Sequence, residues 1–258
     1  MPVPQEARVA EIDPADRRVL LSAAYRMLGT TADAEDAVQE AYVRWLRLDP
    51  VERDGIRSPG AWLMRATERI CLDVLGSARV RRERYVGEWL PEPVPGGRWP
   101  VGDHSDPVEV AARTEGVSTA LLLLLETARA QVGSRRAVAV PVERHRAVVA
   151  AFSAAAATGR LEALVRALDP DVVLRSDGGG VVSTARRSVR GADRVARFLL
   201  GIAAKHPTAT YEPVVHGDGD GILVRVAGGV DSVISFATDG ERVTDIWLVR
   251  NPEKLRLW

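Results

Sequence analysis

The chain has few of the groups that most site chemistry needs. One cysteine, Cys71, excludes an internal disulfide and gives no basis for a thiolate-rich metal site. Four histidines stand at no ligand spacing, and His104 reads as inert. Lysine plus arginine equals aspartate plus glutamate at 35 each, so an electrostatic footprint must be local. The longest apolar run, 120 to 125, is far too short to span a bilayer, and the first residues lack the apolar core of a signal peptide. A cytoplasmic chain without membrane contact is the expectation, and 258 residues leave room for two domains.

What is present begins with helices. Residues 14 to 29 carry Leu20, Ala24, Met27 and Leu28 near one face, with Gly29 as the stop. In the next helix Ala34, Ala37, Val38, Ala41, Tyr42, Trp45 and Leu46 follow helical spacing, with Thr31 or Asp33 available as cap. Its opposite face carries Asp33, Glu35, Asp36, Gln39 and Glu40, then Arg44 and Arg47; acids fit the positive end of the helix dipole. A solvated acidic face is the plain alternative.

A third helix starts at Ser58-Pro59, and Trp62, Ala66, Ile70 and Val74 should face the core. Arg65 and Arg69 stand one turn apart, a spacing that destabilises slightly unless an anion or Glu68 offsets it. Gly76-Ser77 predicts a break. Arg79, Arg81, Arg82, Arg84, Tyr85 and Trp89 follow, mixing charge for phosphate with rings for unpaired bases.

These blocks, YRMLGTTADAEDAVQEAYVRW and SPGAWLMRATERICLDVLGSARVRRERYVGEWLPEP, resemble region 2 of an extracytoplasmic-function sigma factor over about residues 13 to 93. The resemblance implies an all-α domain, 1–88. Its acidic face (Asp33, Glu35, Asp36, Gln39, Glu40, Arg44) would dock on core RNA polymerase. Arg65, Arg69, Ser77, Arg79, Arg81, Arg82, Arg84 and Tyr85 would melt and read the −10 promoter element.

Residues 89–116 read as a proline- and glycine-rich linker, in which Trp99 is a packing residue. Sigma factors of this type continue into a region 4 whose helix-turn-helix reads the −35 element. Here 117–141 hold one helix start, VSTALLLLLE, and a basic tail with Arg129, Arg135 and Arg136, which leaves no room for two further helices. That remnant lacks half of the usual readout, and its leucines, 121 to 125, should pack on the C-terminal domain or self-associate.

From 142 to 258 the pattern is α+β: helices split at Thr158-Gly159, the second ended by Pro170, a short strand at 171 to 174, and a helix over 192 to 204. Runs at 208–216, 222–227, 230–237 and 242–250 then form an antiparallel meander. The order resembles a SnoaL-like domain, a curved sheet wrapped by helices into a cone. That fold hosts isomerases, so Asp171, Asp177, Asp231 and Asp245 are formal base candidates, with Tyr211, His206 and His216 as donors and an unknown small molecule in the pocket. None is marked by spacing, and no catalytic residue, cofactor or metal is assigned.

Three motifs resemble those of one sigma-factor group in which a fused SnoaL-like domain regulates the sigma module: Trp89, Leu90, Pro91, Glu92 and Pro93; Asp177, Gly178, Gly179 and Gly180; and Asn251, Pro252, Glu253, Lys254 and Leu255. Glu88 stands where the group carries proline and Val181 where it carries lysine, a loss expected to remove one charge from the regulatory contact. The leading expectation is a sigma factor regulated in cis by this domain. The alternatives are a truncated polymerase-binding regulator that does not initiate, and a small-molecule-binding or isomerase-like protein.

Overall fold

The computed structural model describes residues 14–83, 85, 87–96, 140–216 and 219–258, with side chains except at 14–16 and 77–83. The chain divides into two compact units, Met1–Glu83 with Trp99–Ser134, and Arg84–Arg98 with Arg135–Trp258.

In the first unit α1 (Pro14–Leu28) opens on a proline whose missing N–H costs nothing at a helix start, and buries Leu20, Leu21, Ala24 and Leu28. Gly29 at φ 76° ends it, its N–H returning to the Tyr25 carbonyl. The second helix, α2 (Thr31–Arg47), buries Ala34, Ala37, Val38, Ala41 and Trp45, while Tyr42 and Leu46 are half-buried. Its cap is Thr30, not Thr31 or Asp33. The Thr30 hydroxyl accepts the Asp33 N–H at 3.3 Å and donates to the Asp33 carboxylate at 2.6 Å, so Asp33 sits inside the first turn as the partner of the cap. A short α3 (Pro50–Asp54) brings Arg53 back to donate to the Leu46 and Leu48 carbonyls, both at 3.0 Å, which satisfies the end of α2.

The predicted break at Gly76-Ser77 does not occur: α4 runs unbroken from Pro59 to Glu83. One exposed glycine costs a helix only about 1 kcal/mol relative to alanine, too little to end a run with no proline. The buried stripe also differs by one residue from the predicted Trp62 and Ala66. Leu63, Thr67, Ile70 and Cys71 are buried, whereas Trp62 leans on Trp45 with ring centroids 5.3 Å apart. Helices α1, α2 and α4 pack pairwise around this stripe.

The second unit sets α5 (Val142–Ala157), α6 (Leu161–Ala167) and α7 (Ala192–Lys205) against a six-stranded sheet. Its strands are β1 (Leu168–Asp177), β2 (Val189–Arg190), β3 (Thr210–His216), β4 (Gly219–Val226), β5 (Gly229–Thr238) and β6 (Val243–Val249), ordered β2-β1-β6-β5-β4-β3. The meander β3 to β6 is antiparallel as predicted, but β1 pairs parallel with β6, so the sheet is mixed. Pro170 does not end a helix. It lies in the irregular start of β1, where the register shifts between Leu168 and Val173 and no ladder N–H is required. The two sheet faces follow the period of two along each strand. Ile222, Val224, Ile234, Phe236, Ile246 and Leu248 face the helices, where Phe152 meets Phe236 at 5.0 Å. Leu223, Val233 and Val249 form a second cluster with Leu90 and Leu255.

Burial pushes the Cys71 thiol up to about 12, with the Glu68 carboxylate adding to the effect. The thiolate is the reactive form. In the native chain at pH 8, Cys71 is therefore expected to react with a disulfide reagent only at the rate of unfolding, and immediately in denaturant. Rapid native labelling would contradict this packing of α4.

Candidate regulatory site

The three motifs meet at one buried carboxylate. Asp177, the last residue of β1, is 0% exposed. Its Oδ1 accepts the Tyr85 hydroxyl at 2.5 Å and the Gly179 N–H at 2.9 Å; its Oδ2 accepts the Leu90 N–H at 3.0 Å and the Lys254 ammonium at 2.7 Å. Lys254, on the 3₁₀ helix Pro252–Leu255, also donates to the Leu90 carbonyl at 2.5 Å and lies 4.2 Å from the Trp89 ring centroid and 5.3 Å from that of Tyr85. An ammonium 7% exposed, between a carboxylate, a carbonyl and two rings, has its charge answered on every side.

Local geometry fixes each part. The Asn251 side chain caps the 3₁₀ helix by accepting the Glu253 N–H at 3.0 Å, while its amide donates to the Tyr85 oxygen at 3.0 Å. Gly179 has φ 66°, and a Cβ there would stand 2.6 Å from the Asn251 side chain. Glycine is needed on both counts, for the dihedral and for the approach. Gly178 is equally constrained, since a Cβ would fall 2.2 Å from the Val182 carbonyl oxygen. Trp258 donates its indole N–H to the Pro93 carbonyl at 2.7 Å, and Leu90 and Val94 are buried. The described part of the segment read as a linker, 89–96, thus runs along this unit, with a bridge between Pro95 and His216.

The two departures from the group pattern have different fates. Val181 is 77% exposed, so the position where the group carries lysine faces solvent here, and Lys254 provides the cation at Asp177. Glu88 lies 3.7 Å from the guanidinium of buried Arg175, which also pairs with Asp245 at 3.1 Å. Neither Arg175 nor Trp258 was singled out by the sequence; both lie outside the motifs. The formal base candidates are occupied or dispersed. Asp177 holds the cluster, Asp231 is bidentate to Arg250, Asp245 pairs with Arg175, and Asp171 is exposed. His216 is buried, His206 half-buried and Tyr211 exposed.

In the first unit Glu35, Asp36, Gln39 and Arg44 are exposed on α2, and Arg44 pairs with Glu40 at 2.9 Å. Arg65 and Arg69 are exposed on α4; burial raises the Glu68 carboxyl while Arg65 lowers it. The backbone of Ser77, Arg79, Arg81 and Arg82 continues α4. Arg84, Trp99, His104 and residues 117–139 lie outside the described residues. Among the described residues no helix is long and apolar enough to cross a membrane, and no group of three or more His, Cys, Asp or Glu side chains could hold a metal ion.

A helical unit with an acidic face on α2 and exposed arginines on α4, followed by a helix-covered six-stranded sheet on which all three motifs lie, is the two-part organisation that the resemblance implied for a sigma factor. The sigma-70 region 2 family matches residues 15–84. The ECF RNA polymerase sigma factor SigJ of Mycobacterium tuberculosis is 33% identical over 289 residues, covering 92% of this chain and 90% of the relative. The probable ECF RNA polymerase sigma factor SigI of the same organism is 30% identical over 286, covering 93% and 92%. The crystal structure of SigJ superposes with a TM-score of 0.64 at 29% identity, covering 93% of this chain and 96% of that one. The chain belongs to the extracytoplasmic-function RNA polymerase sigma factors. The SigJ alignment, at 289 positions, is longer than this chain of 258, so that relative carries residues with no counterpart here.

Removing one partner of a buried ion pair costs about 3–5 kcal/mol. Lys254→Met and Asp177→Asn are each expected to lower stability on that scale and to speed amide exchange of Trp89 to Val94. The double variant should cost less than the sum of the two, as read from denaturation midpoints. Full additivity would show that the pair does not hold the segment. Burial, and then the Asp177 carboxylate, raise the Tyr85 phenol above its usual range. A raised phenol favours the protonated form in the folded state. Its contribution is therefore complete below the ordinary tyrosine pKa near 10 and is lost as pH rises above that. Protection of the segment's amides, taken relative to their intrinsic hydroxide-catalysed exchange, should fall in that alkaline window, and Tyr85→Phe should remove that pH-dependent loss.

Proposed function

We propose that this sigma factor directs core RNA polymerase to promoters through its first unit and that its SnoaL-like domain sets that activity in cis. The exposed face of α2, with Asp33, Glu35, Asp36, Gln39, Glu40 and Arg44, is the polymerase contact. Arg65, Arg69, Ser77, Arg79, Arg81, Arg82, Arg84 and Tyr85 are the −10 reader, charge for the phosphates and a ring for an unpaired base. The domains run 1–88, 89–116, 117–141 and 142–258, and the chain works in the cytoplasm.

One observation carries the regulatory half of this reading. Tyr85, at the end of the basic segment, is half-buried and hydrogen-bonded to Asp177. A phenol held there is not available to stack on a base. Release of Tyr85 from Asp177 and capture of single-stranded DNA therefore draw on the same side chain. The occupied aspartates support a regulatory rather than catalytic role for the cone, and a small molecule in it would act as an effector.

A second reading, a polymerase-binding regulator that does not initiate, is favoured by the residues of SigJ that this chain lacks. Run-off transcription with purified core polymerase separates the two. Promoter-dependent transcripts are expected, and polymerase binding without transcripts would establish the second reading. Arg81→Ala with Arg82→Ala should weaken binding to a −10 single strand and flatten its salt dependence by about one unit for each phosphate left without its arginine. An unchanged slope would remove these residues from the reader.

A further inference from the structure

The SnoaL-like domain carries a second concentration of arginine that neither the polymerase contact nor the −10 reader uses. Between 183 and 197 there are five arginines, Arg186, Arg187, Arg190, Arg194 and Arg197, against one acid, Asp193, in a chain whose overall charge is zero. All five are exposed. Arg197 is paired with Asp193 at 2.8 Å, so the single acid is already taken. Among the described residues, the other four make no ion pair.

These arginines stand on a fixed frame. The Asp177–Gly180 turn launches the loop, with the Val182 N–H returning to the Gly178 carbonyl at 2.9 Å. The Ser176 hydroxyl donates to the Ala185 carbonyl at 3.1 Å and the Arg250 guanidinium to the Ser183 carbonyl at 3.0 Å, pinning the backbone just before Arg186. Arg190 lies on the edge strand β2, opposite Val173 of β1, and Arg194 follows in the first turn of α7. The first residues of β1 add Asp169 and Asp171 nearby, since the Gly191 N–H bonds the Val172 carbonyl, and these two leave the arginines in excess.

We infer that this edge is a contact for the phosphate backbone of duplex DNA, outside the −10 single strand. The charge is all arginine, whose planar fork bonds phosphate oxygens in pairs and sheds water more readily than lysine. No aromatic ring is interleaved: Phe198, which follows, packs on the core. Stacking on unpaired bases is thus not provided for, and a charged surface of this kind reads duplex phosphates without regard to sequence. The contact also suits a chain that lacks residues its relative SigJ carries, because it gives the promoter complex a second hold on duplex DNA. It starts on the same turn that holds Tyr85, so the cis-regulatory carboxylate and the DNA-facing loop share one anchor.

The test uses the full chain, with Arg186, Arg187, Arg190 and Arg194 changed together to glutamine, and separately to lysine. The probes are a short mixed-sequence duplex and a −10 single strand, each over a series of salt concentrations. The glutamine variant should bind the duplex about tenfold or more weakly, with the slope of log affinity against log salt reduced by roughly two to four. The lysine variant should keep most of the slope, and single-strand binding should be unchanged in both. Equal melting transitions check that the domain remains folded. If duplex affinity and slope stay at parental values in the glutamine variant, the inference is wrong. It is equally wrong if the variant loses core polymerase instead, which would assign the edge to an acidic protein surface. The duplex arm does not depend on Arg81 or Arg82, so a failure of the −10 assignment shows only on the single strand.

Discussion

The Asp177–Lys254 pair is the interaction on which the docked segment depends. A carboxylate with no exposure and an ammonium 7% exposed cannot both be left inside a protein unless each is fully bonded. The structure meets that requirement by recruiting chain from three places: the Tyr85 hydroxyl and Leu90 backbone from before the domain, the Gly179 N–H from the turn after β1, and the 3₁₀ helix near the end. Leu90, whose backbone bonds both partners, and Leu255, which follows Lys254 in the chain, are themselves buried in an apolar cluster with Val233 and Val249. The segment following α4 is thereby made part of the cone.

Such a pair adds specificity more than stability. An apolar cluster would tolerate Leu90 in several registers, but a carboxylate that needs four donors accepts one placement of the segment. It also makes the docked arrangement breakable as a unit, because removal of one partner leaves the other buried and uncompensated. That property suits a regulatory device. It explains why two glycines are required where a side chain would collide with Asn251 or with the Val182 carbonyl. It explains equally why the 3₁₀ helix carries its own asparagine cap.

The cone follows the general scheme of a sheet covered on one face by helices, with its second face partly covered by the docked segment. Family membership identifies the chain as a sigma factor, and three of the four aspartates weighed as bases, Asp177, Asp231 and Asp245, are paired with lysine or arginine, while Asp171 is exposed. The hydrogen bonds from Ser176 and Arg250 hold the 178–191 loop in a fixed frame that carries exposed arginines.

Amino-acid order alone was enough for much of this. Helical spacing marked α1 and α2, the turn residues marked the meander, and three short motifs marked the residues that meet at Asp177 except Tyr85, which the sequence placed only in the DNA reader. Spacing could not say that α4 passes through Gly76, because a glycine weakens a helix without ending it. Nor could it choose between Trp62 and Leu63 as the buried position, since adjacent stripes on a helix rich in apolar residues score alike. Pro170 read as a stop because its place in a strand depends on a register shift that only the pairing with β6 creates. Motif identity said which residues matter; the tertiary structure decided what they do to one another. Charge balance, hydrogen-bond direction and close approach belong to residues brought together from positions 85, 90, 177 and 254, and no local pattern encodes those distances.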